Sequence, residues 1–485
     1  MNKFIKKYKS MPVQVKASFW FLICAFLQRG ISCITTPIFT RLLTTTEYGQ
    51  YSVFDSWFKI LLIIVSLNLW GGVYMQGMVK HESERKEYSS ALQGLTLTLT
   101  VGWTVIYLLF QNFFNKAFSL TTVQMLAMMG MIWATSVFNF WSSEQRLDFK
   151  YKKLVIITVL VSIGKPLLGI ILVTISEDKV TARILGLLIV EIVMYGGCFF
   201  DQMIRGKKFF SAKYWKYVIL FAVPLLPHYL SMSVLNSADR IMIKLMDSAA
   251  TAGIYSLAYS ISLIMMMFNQ ALFQTVEPWI YKKIKSKQIE DIGRVAYSTF
   301  MLIAGVNIVL IVFAPEVVWI FAPKAYYDAI WVIPPVAMSV YFTFAYTFFA
   351  TFEFFYEKKR NIAYASLAGA VLNVVLNYIF IPIFGYYAAG YTTLFCYMLY
   401  AIMHFIFMRR ICKQFLDNRQ PYKTSVLLTI TFIFMAIGFG MLFTYKYIYI
   451  RYSLLAVMFI ALIIFRNKLI VTIKDLVSLK KEAKK

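Results

Sequence analysis

The stretch PLLPHYLSMSVLNSADRIMIKLMDSAATAGIYS, Pro224 to Ser256, decides how the chain is read. It opens in an apolar span interrupted by two prolines. An Asp239-Arg240 pair stands where that span is expected to end, and Gly253-Ile254-Tyr255-Ser256 starts the next one. About 200 residues earlier the chain makes the same move. There an apolar span closes in TTPIFTRLLTTTEYGQYS, with Arg41 after the span and Gly49-Gln50-Tyr51-Ser52 opening its successor. Two copies of one pattern (span, basic residue, short polar loop, G-x-Y-S, span) imply a protein built from two similar halves.

Composition says what medium those halves occupy. Of 485 residues, 60% are hydrophobic and 15% charged, and long apolar runs recur throughout. A run of about 18 or more residues with few charges reads as a transmembrane helix. Fourteen spans are predicted, near 17–39, 54–74, 91–111, 122–142, 154–174, 183–200, 217–238, 254–275, 295–314, 327–350, 361–381, 387–408, 425–444 and 449–465. Closed barrels would need alternating strands of about ten residues, and that pattern is absent. The expected fold class is therefore an all-α polytopic membrane protein. Its N-terminal six-helix bundle is expected over residues 1–205 and its C-terminal one over 206–410. Two appended helices and a basic tail fill 411–485. Six is an even number, so both halves enter the membrane in the same sense, as parallel repeats.

A net charge of +26 would suggest nucleic-acid binding in a soluble protein. Here the Lys and Arg residues cluster between apolar runs, as membrane-orienting charges do, which argues against a nucleic-acid partner. Alternate loops, termini included, hold 37 of the 49 basic residues, the intervening loops nine, and the spans three. That bias places both termini in the cytoplasm. The five cysteines (Cys24, Cys33, Cys198, Cys396 and Cys412) lie in or beside spans without metal-ligand spacing, so no metal or cofactor is expected. No G-x-S-x-G, H-E-x-x-H or P-loop occurs, which predicts a non-enzyme that does not hydrolyse ATP itself.

The chain resembles the polysaccharide repeat-unit flippases (Wzx-type, serving O-antigen and capsule) of the multidrug/oligosaccharidyl-lipid/polysaccharide exporter superfamily. The likeness rests on Thr36-Pro37-Ile38, Arg41-Leu42-Leu43, Glu47-Tyr48-Gly49-Gln50-Tyr51, Pro224-Leu225-Leu226-Pro227, Ser237-Ala238-Asp239-Arg240 and Ala252-Gly253-Ile254-Tyr255-Ser256. Their order and their placement relative to the spans carry it. The resemblance implies two bundles around a central cavity open to one side at a time. It implies an undecaprenyl-diphosphate-linked oligosaccharide as substrate, moved outward across a bacterial inner membrane. It also implies membrane lipids and a polysaccharide polymerase as candidate partners.

Charged residues at membrane depth cost about 2.5–3.5 kcal/mol each on insertion scales, so each needs a reason. Arg29, in the middle of span 1, is a candidate anchor for a diphosphate, because its forked donors match phosphate oxygens. A structural pair with Asp55 is the alternative. Lys59 follows Asp55 by one turn, so a local salt bridge competes with a cavity role. Lys165 precedes Pro166, whose kink suits a cavity-lining helix. Arg240 is a candidate at the cavity mouth, and His228 follows the Pro224 and Pro227 breaks, which read as a hinge. Among the membrane carboxylates, Asp55 and Glu191 are the coupling-ion candidates. Glu191 looks isolated, Glu277 is unassigned, and Glu353 is expected to pair with Lys358 at the cytoplasmic rim.

Three rival functions stand beside the flippase. A membrane glycosyltransferase or polymerase would need a sizeable aqueous loop, and no loop here exceeds about 20 residues. A cation-coupled drug antiporter of the same superfamily would favour an acidic cavity. A lipid II flippase shares the same charge logic and is not separated by it.

Overall fold

The computed structural model describes residues 11–464 and Arg466. Contacts divide the chain into two compact units, residues 1–237 and 238–485. In the first lie α1 (Val13–Leu42), α2 (Thr45–Ser66), α3 (Val73–Lys80), α4 (Arg85–Leu109), α5 (Gln111–Phe118), α6 (Thr122–Leu147), α7 (Tyr151–Ile175), α8 (Lys179–Gly206) and α9 (Ala212–Ala222). Helix α10 (Leu226–Met246) runs across the division. The second unit continues with α11 (Ala249–Lys285), α12 (Glu290–Val312), α13 (Ala314–Phe321), α14 (Ile333–Phe355), α15 (Lys359–Phe384), α16 (Tyr387–Phe415), α17 (Thr424–Thr444) and α18 (Ile448–Ile464).

Eleven of these helices, and α9 with α10 taken together as a twelfth, are long and apolar enough to cross a membrane, and the protein is a multi-pass membrane protein. Two of the fourteen predicted spans fall short of that standard. Helix α2 has the length, at 22 residues, but carries Glu47, Asp55 and Lys59. Helix α18 has only 17 residues. The outer surface is apolar because its solvent is hydrocarbon: Leu109, Val193, Phe432 and Phe443 are each 66–79% exposed. Hydroxyls within the helices bond back to carbonyls one turn earlier. Ser52 donates to Tyr48 O at 2.8 Å, Thr100 to Thr96 O at 2.9 Å, and Ser262 to Ala258 O at 2.9 Å. In a medium without water this is how a helical Ser or Thr avoids an unmet donor.

The polar loops of the repeat act as helix starters. Thr44 caps α2 in a reciprocal capping box with Glu47, and Ser248 caps α11 through the Thr251 N–H. Each G-x-Y-S therefore lies in the first two turns of a capped helix. Pro224 lies in a 3-10 turn, Val223–Leu225, between α9 and α10, and Pro227 lies in the first turn of α10. The Asp239-Arg240 pair does not end its helix. Helix α10 continues through both residues to Met246, because nothing between them and Met246 interrupts the backbone ladder.

Helix α9 packs in unit 1, where Tyr214, Val218 and Ala222 join Tyr74, Tyr88, Leu92 and Phe140 in one buried cluster. Backbone approach there is close. A Cβ on Gly94 of α4 would lie 2.0 Å from Phe209 O, and one on Gly206 would lie 2.1 Å from Lys86 O. Neither carbonyl can swing aside as a side chain could. Gly94→Ala is expected to cost about 1–3 kcal/mol by overpacking. A lower thermal midpoint of the purified variant on fluorescence-detected size exclusion checks this, and an unchanged midpoint refutes it.

In unit 2, α14 is the central helix. From Ile333 to Glu353 every residue but Tyr346 and Thr347 is buried, so neighbours surround it on every side. Phe300 of α12 packs on Tyr341, Phe344 and Phe348 of α14 with ring centroids 5.3–6.0 Å apart. Any charged group on such a helix must find its partner inside the protein.

Candidate functional site

Unit 1 gathers its membrane-depth charges on α2, α7 and α8. Lys59 donates to Asp55 at 2.6 Å within α2, the local pairing that their four-residue spacing permits. Lys165 of α7 donates to Glu191 of α8 at 2.5 Å, and Thr135 of α6 contacts the other carboxylate oxygen at 3.4 Å. Glu191 is thus not isolated, as its sequence surroundings suggested. Its partner comes from a neighbouring helix, 26 residues back. The Glu191 side chain is 3% exposed and that of Lys165 28%, so the ammonium forms the accessible face of the pair. The Arg29 side chain lies outside the described residues, although its backbone belongs to α1.

Sequence reasoning missed Arg183, on α8. Its guanidinium lies 3.5 Å from the centre of the Tyr51 ring and 3.8 Å from that of Phe39, with Tyr48 at 5.7 Å. Such an aromatic box holds a cation without neutralising it. Its Nη1 is buried and donates to no partner among the described residues. One turn earlier, Lys179 Nζ donates to Leu42 O at 3.2 Å, where the C-terminus of α1 is electron-rich. Tyr51 is within electrostatic range of Arg183, Asp55 and Glu191, which ties these groups into one cluster. Asp55, Lys59, Lys165, Arg183 and Glu191 together hold three cations against two carboxylates. The signal present in the sequence was the repeated Tyr51, which marks the aromatic face but not the cation laid on it.

A second polar network in unit 1 centres on Glu144 and Arg205. Glu144 accepts from Arg205 Nη1 at 2.6 Å and from Gln202 at 2.5 Å. Gln93 donates to Gln202 Oε1 at 2.6 Å, and Asp201 accepts from Arg205 at 2.7 Å and from Trp141 at 2.9 Å. Nearby His81 is surrounded by Tyr88, Tyr214 and Tyr217. Burial, then Lys213 and Lys80, hold its imidazole below the ordinary range.

In unit 2 the repeated motif has taken a different partner. Tyr255, the counterpart of Tyr51, donates to Asp239 Oδ2 at 2.6 Å. Asp239 is fully buried and also accepts from Asn377 at 2.7 Å and Thr393 at 2.9 Å. Arg240, 7% exposed, lies 4.1 Å over the Tyr259 ring. It is an interior residue and not a rim anchor. In unit 1, His228 is half-buried beside Tyr229, whose hydroxyl donates to Gly71 O at 2.9 Å. Glu353 does not pair with Lys358. Both Glu353 and His404 are fully buried, and His404 Nδ1 lies 2.5 Å from Glu353 Oε1. Lys358 instead lies over the Phe415 ring at 4.8 Å. Glu277 makes no ion pair among the described residues.

Residues 15–284 match the family model for polysaccharide biosynthesis proteins. The chain belongs to this family. It is 22% identical over 376 residues to the Haemophilus influenzae protein described as Lsg locus putative protein 1, covering 74% of this chain and 89% of that one. Among solved structures, the lipid II flippase MurJ in an inward closed conformation superimposes with a TM-score of 0.66 at 13% identity. It covers 88% of this chain and 99% of MurJ. An inward-facing multidrug transporter of the MATE family, MOP superfamily, gives 0.60 at 15% identity over 83% and 99%. These likenesses establish the fold that the motifs implied.

Proposed function

We propose that this member of the polysaccharide biosynthesis family is a flippase. It moves a diphosphate-linked oligosaccharide on a polyprenyl lipid from the cytoplasmic to the outer leaflet by alternating access, for O-antigen or capsule assembly. The loops carrying 37 basic residues, and both termini, face the cytoplasm. The observation that supports this reading is the cation-rich cluster of unit 1. In a medium that penalises charge, three cations with two carboxylates mark a place meant for an anion.

The carboxylates have a role in this reading. Glu191 and Asp55 hold Lys165 and Lys59 while substrate is absent, since unpaired ammonium groups in hydrocarbon are costly. An incoming diphosphate offers more negative charge than one carboxylate and takes over these donors, with Arg29 and the boxed Arg183 completing the grip. The membrane potential, negative inside, favours outward movement of the anion by about 2.3 kcal/mol per charge per 100 mV. Hexose rings can lie against Tyr51. The superposition with MurJ favours one second reading, lipid II itself, whose headgroup shares the diphosphate.

The test is deletion of the gene, with assays of surface polysaccharide and of lipid-linked repeat units held on the cytoplasmic side. The strain is then complemented with variants. Lys165→Gln alone leaves Glu191 buried and unpaired, so its failure would say little. The K165Q/E191Q double variant removes both charges and keeps a hydrogen bond. It should fold like wild type, yet export at least about tenfold less, the loss of roughly 1.4 kcal/mol of headgroup binding. Restored export by the double variant would make the pair structural and sink the binding role of Lys165. Accumulation of peptidoglycan precursors in the deletion strain, with surface polysaccharide intact, would turn the reading to lipid II.

A further inference from the structure

We infer that Glu353 and His404 form a binding site for a single exchangeable proton in unit 2, loaded and unloaded as the transporter cycles. The inference rests on the flippase reading for its role in the cycle, and on geometry for the site itself.

Both side chains are fully buried, with Nδ1 and Oε1 2.5 Å apart. Their outward atoms, Glu353 Oε2 and His404 Nε2, are also buried and bond to nothing among the described residues. No Lys or Arg lies within ion-pair distance of Glu353 among them. Lys358 lies over Phe415, and Arg410 over Phe407 at 6.0 Å. Without a proton, the pair is a carboxylate beside a neutral imidazole. That is a net negative charge in a dry site, with one oxygen accepting nothing. With one proton the pair is neutral overall, whichever partner carries it. The site therefore keeps its proton while closed and gives it up only to water. The exchange is simple: one proton passes from water to the pair, and one returns from the pair to water, with no other bond changed.

Asp239 gives the contrast within the same unit. Three neutral donors hold its two oxygens: Tyr255, Asn377 and Thr393. One helix face connects the two carboxylates. Thr393, Tyr397, Tyr400 and His404 follow each other on α16 at spacings of four, three and four residues, all buried. Thr393 donates to Asp239 and His404 pairs with Glu353. Eleven residues of helix separate them, roughly 16 Å. The stripe spans much of the membrane's depth.

Other titratable groups frame the pair. Tyr346 of α14 and Tyr400 of α16 place their rings 5.5 and 4.5 Å from the imidazole. At the same end, α11 presents Glu277 and Tyr281, the latter 5.9 Å from Phe355. Helix α12 presents Tyr297, whose hydroxyl accepts from the Lys423 N–H. Helix α15 presents Arg360 and Tyr364, joined at 3.3 Å. Tyr422, before α17, stacks 5.6 Å from Phe349.

Two measurements test the inference. Nuclear magnetic resonance of ring-¹⁵N histidines in lipid nanodiscs follows His81, His228 and His404, with H404Q assigning the last. The His404 signal should titrate, and E353Q should move its midpoint. His404 ring shifts that do not change from mildly acid to mildly alkaline buffer, or that ignore E353Q, overturn the site. In cells, nigericin removes the pH difference and leaves the potential. Wild-type export should fall on its addition, whereas E353Q/H404Q, a neutral hydrogen-bonded pair, should export slowly and without that sensitivity. Equal sensitivity in both overturns the coupling role. If deletion of the gene leaves surface polysaccharide intact, the flippase reading fails, and the resonance measurement still decides the proton site.

Discussion

Asp239→Ala is expected to remove most folded protein from the membrane. The substitution leaves three buried donors facing a void: the Tyr255 hydroxyl, the Asn377 amide and the Thr393 hydroxyl. Each unmet donor costs about 1–3 kcal/mol, so the sum is on the order of 3–6 kcal/mol even with some relaxation. Total stabilities are commonly about 5–15 kcal/mol, so a loss of this size takes a large fraction. Asp239→Asn should lie between, because its amide keeps an acceptor but turns two donors toward groups that also donate. The measurement is the monodisperse fraction recovered in detergent, with its thermal midpoint. If the Ala variant matches wild type, Asp239 is not the hub of unit 2.

Arg205→Met should have nearly as large an effect on unit 1. Glu144 is 8% exposed at its side chain and accepts two bonds from the guanidinium, at 2.6 and 3.2 Å. Asp201 loses one of its two donors and keeps Trp141. Breaking one side of a buried ion pair costs about 3–5 kcal/mol, because the other charge is stranded. Arg205 is itself 30% exposed, which lets water soften the loss, so about 3 kcal/mol is expected. Adding Glu144→Gln to Arg205→Met should recover much of it, since the amide still accepts from Gln202. A double variant no more stable than R205M would show that the network acts through packing alone.

Local spacing makes some of these partners legible and hides others. Lys59 and Asp55 sit four residues apart on one helix, and that spacing by itself indicates their pairing. The same local logic indicates the Thr44–Glu47 cap and the break at Pro224. It fails for Glu353, where the nearby Lys358 is the obvious local partner and His404, 51 residues on, is the real one. It fails for Glu191 in the same way, and Arg183 reads as an ordinary loop charge until α8 is seen to carry it. The polar stripe Thr393, Tyr397, Tyr400 and His404 is readable as a 4-3-4 spacing, but nothing in a single apolar helix says which face turns inward. The two G-x-Y-S motifs make the point most directly. Tyr51 carries a cation on its ring, whereas Tyr255 donates its hydroxyl proton to a carboxylate.

The amino-acid order alone determined the medium and the helical class. In hydrocarbon an unmet backbone group costs several kcal/mol, so an apolar run of sufficient length becomes a helix whatever its neighbours do. The rotation of each helix about its own axis was settled only in three dimensions. Partners such as Lys165–Glu191 and Thr393–Asp239 lie on different helices, 26 and 154 residues apart. Their meeting depends on how apolar surfaces interdigitate, a property that no single span contains.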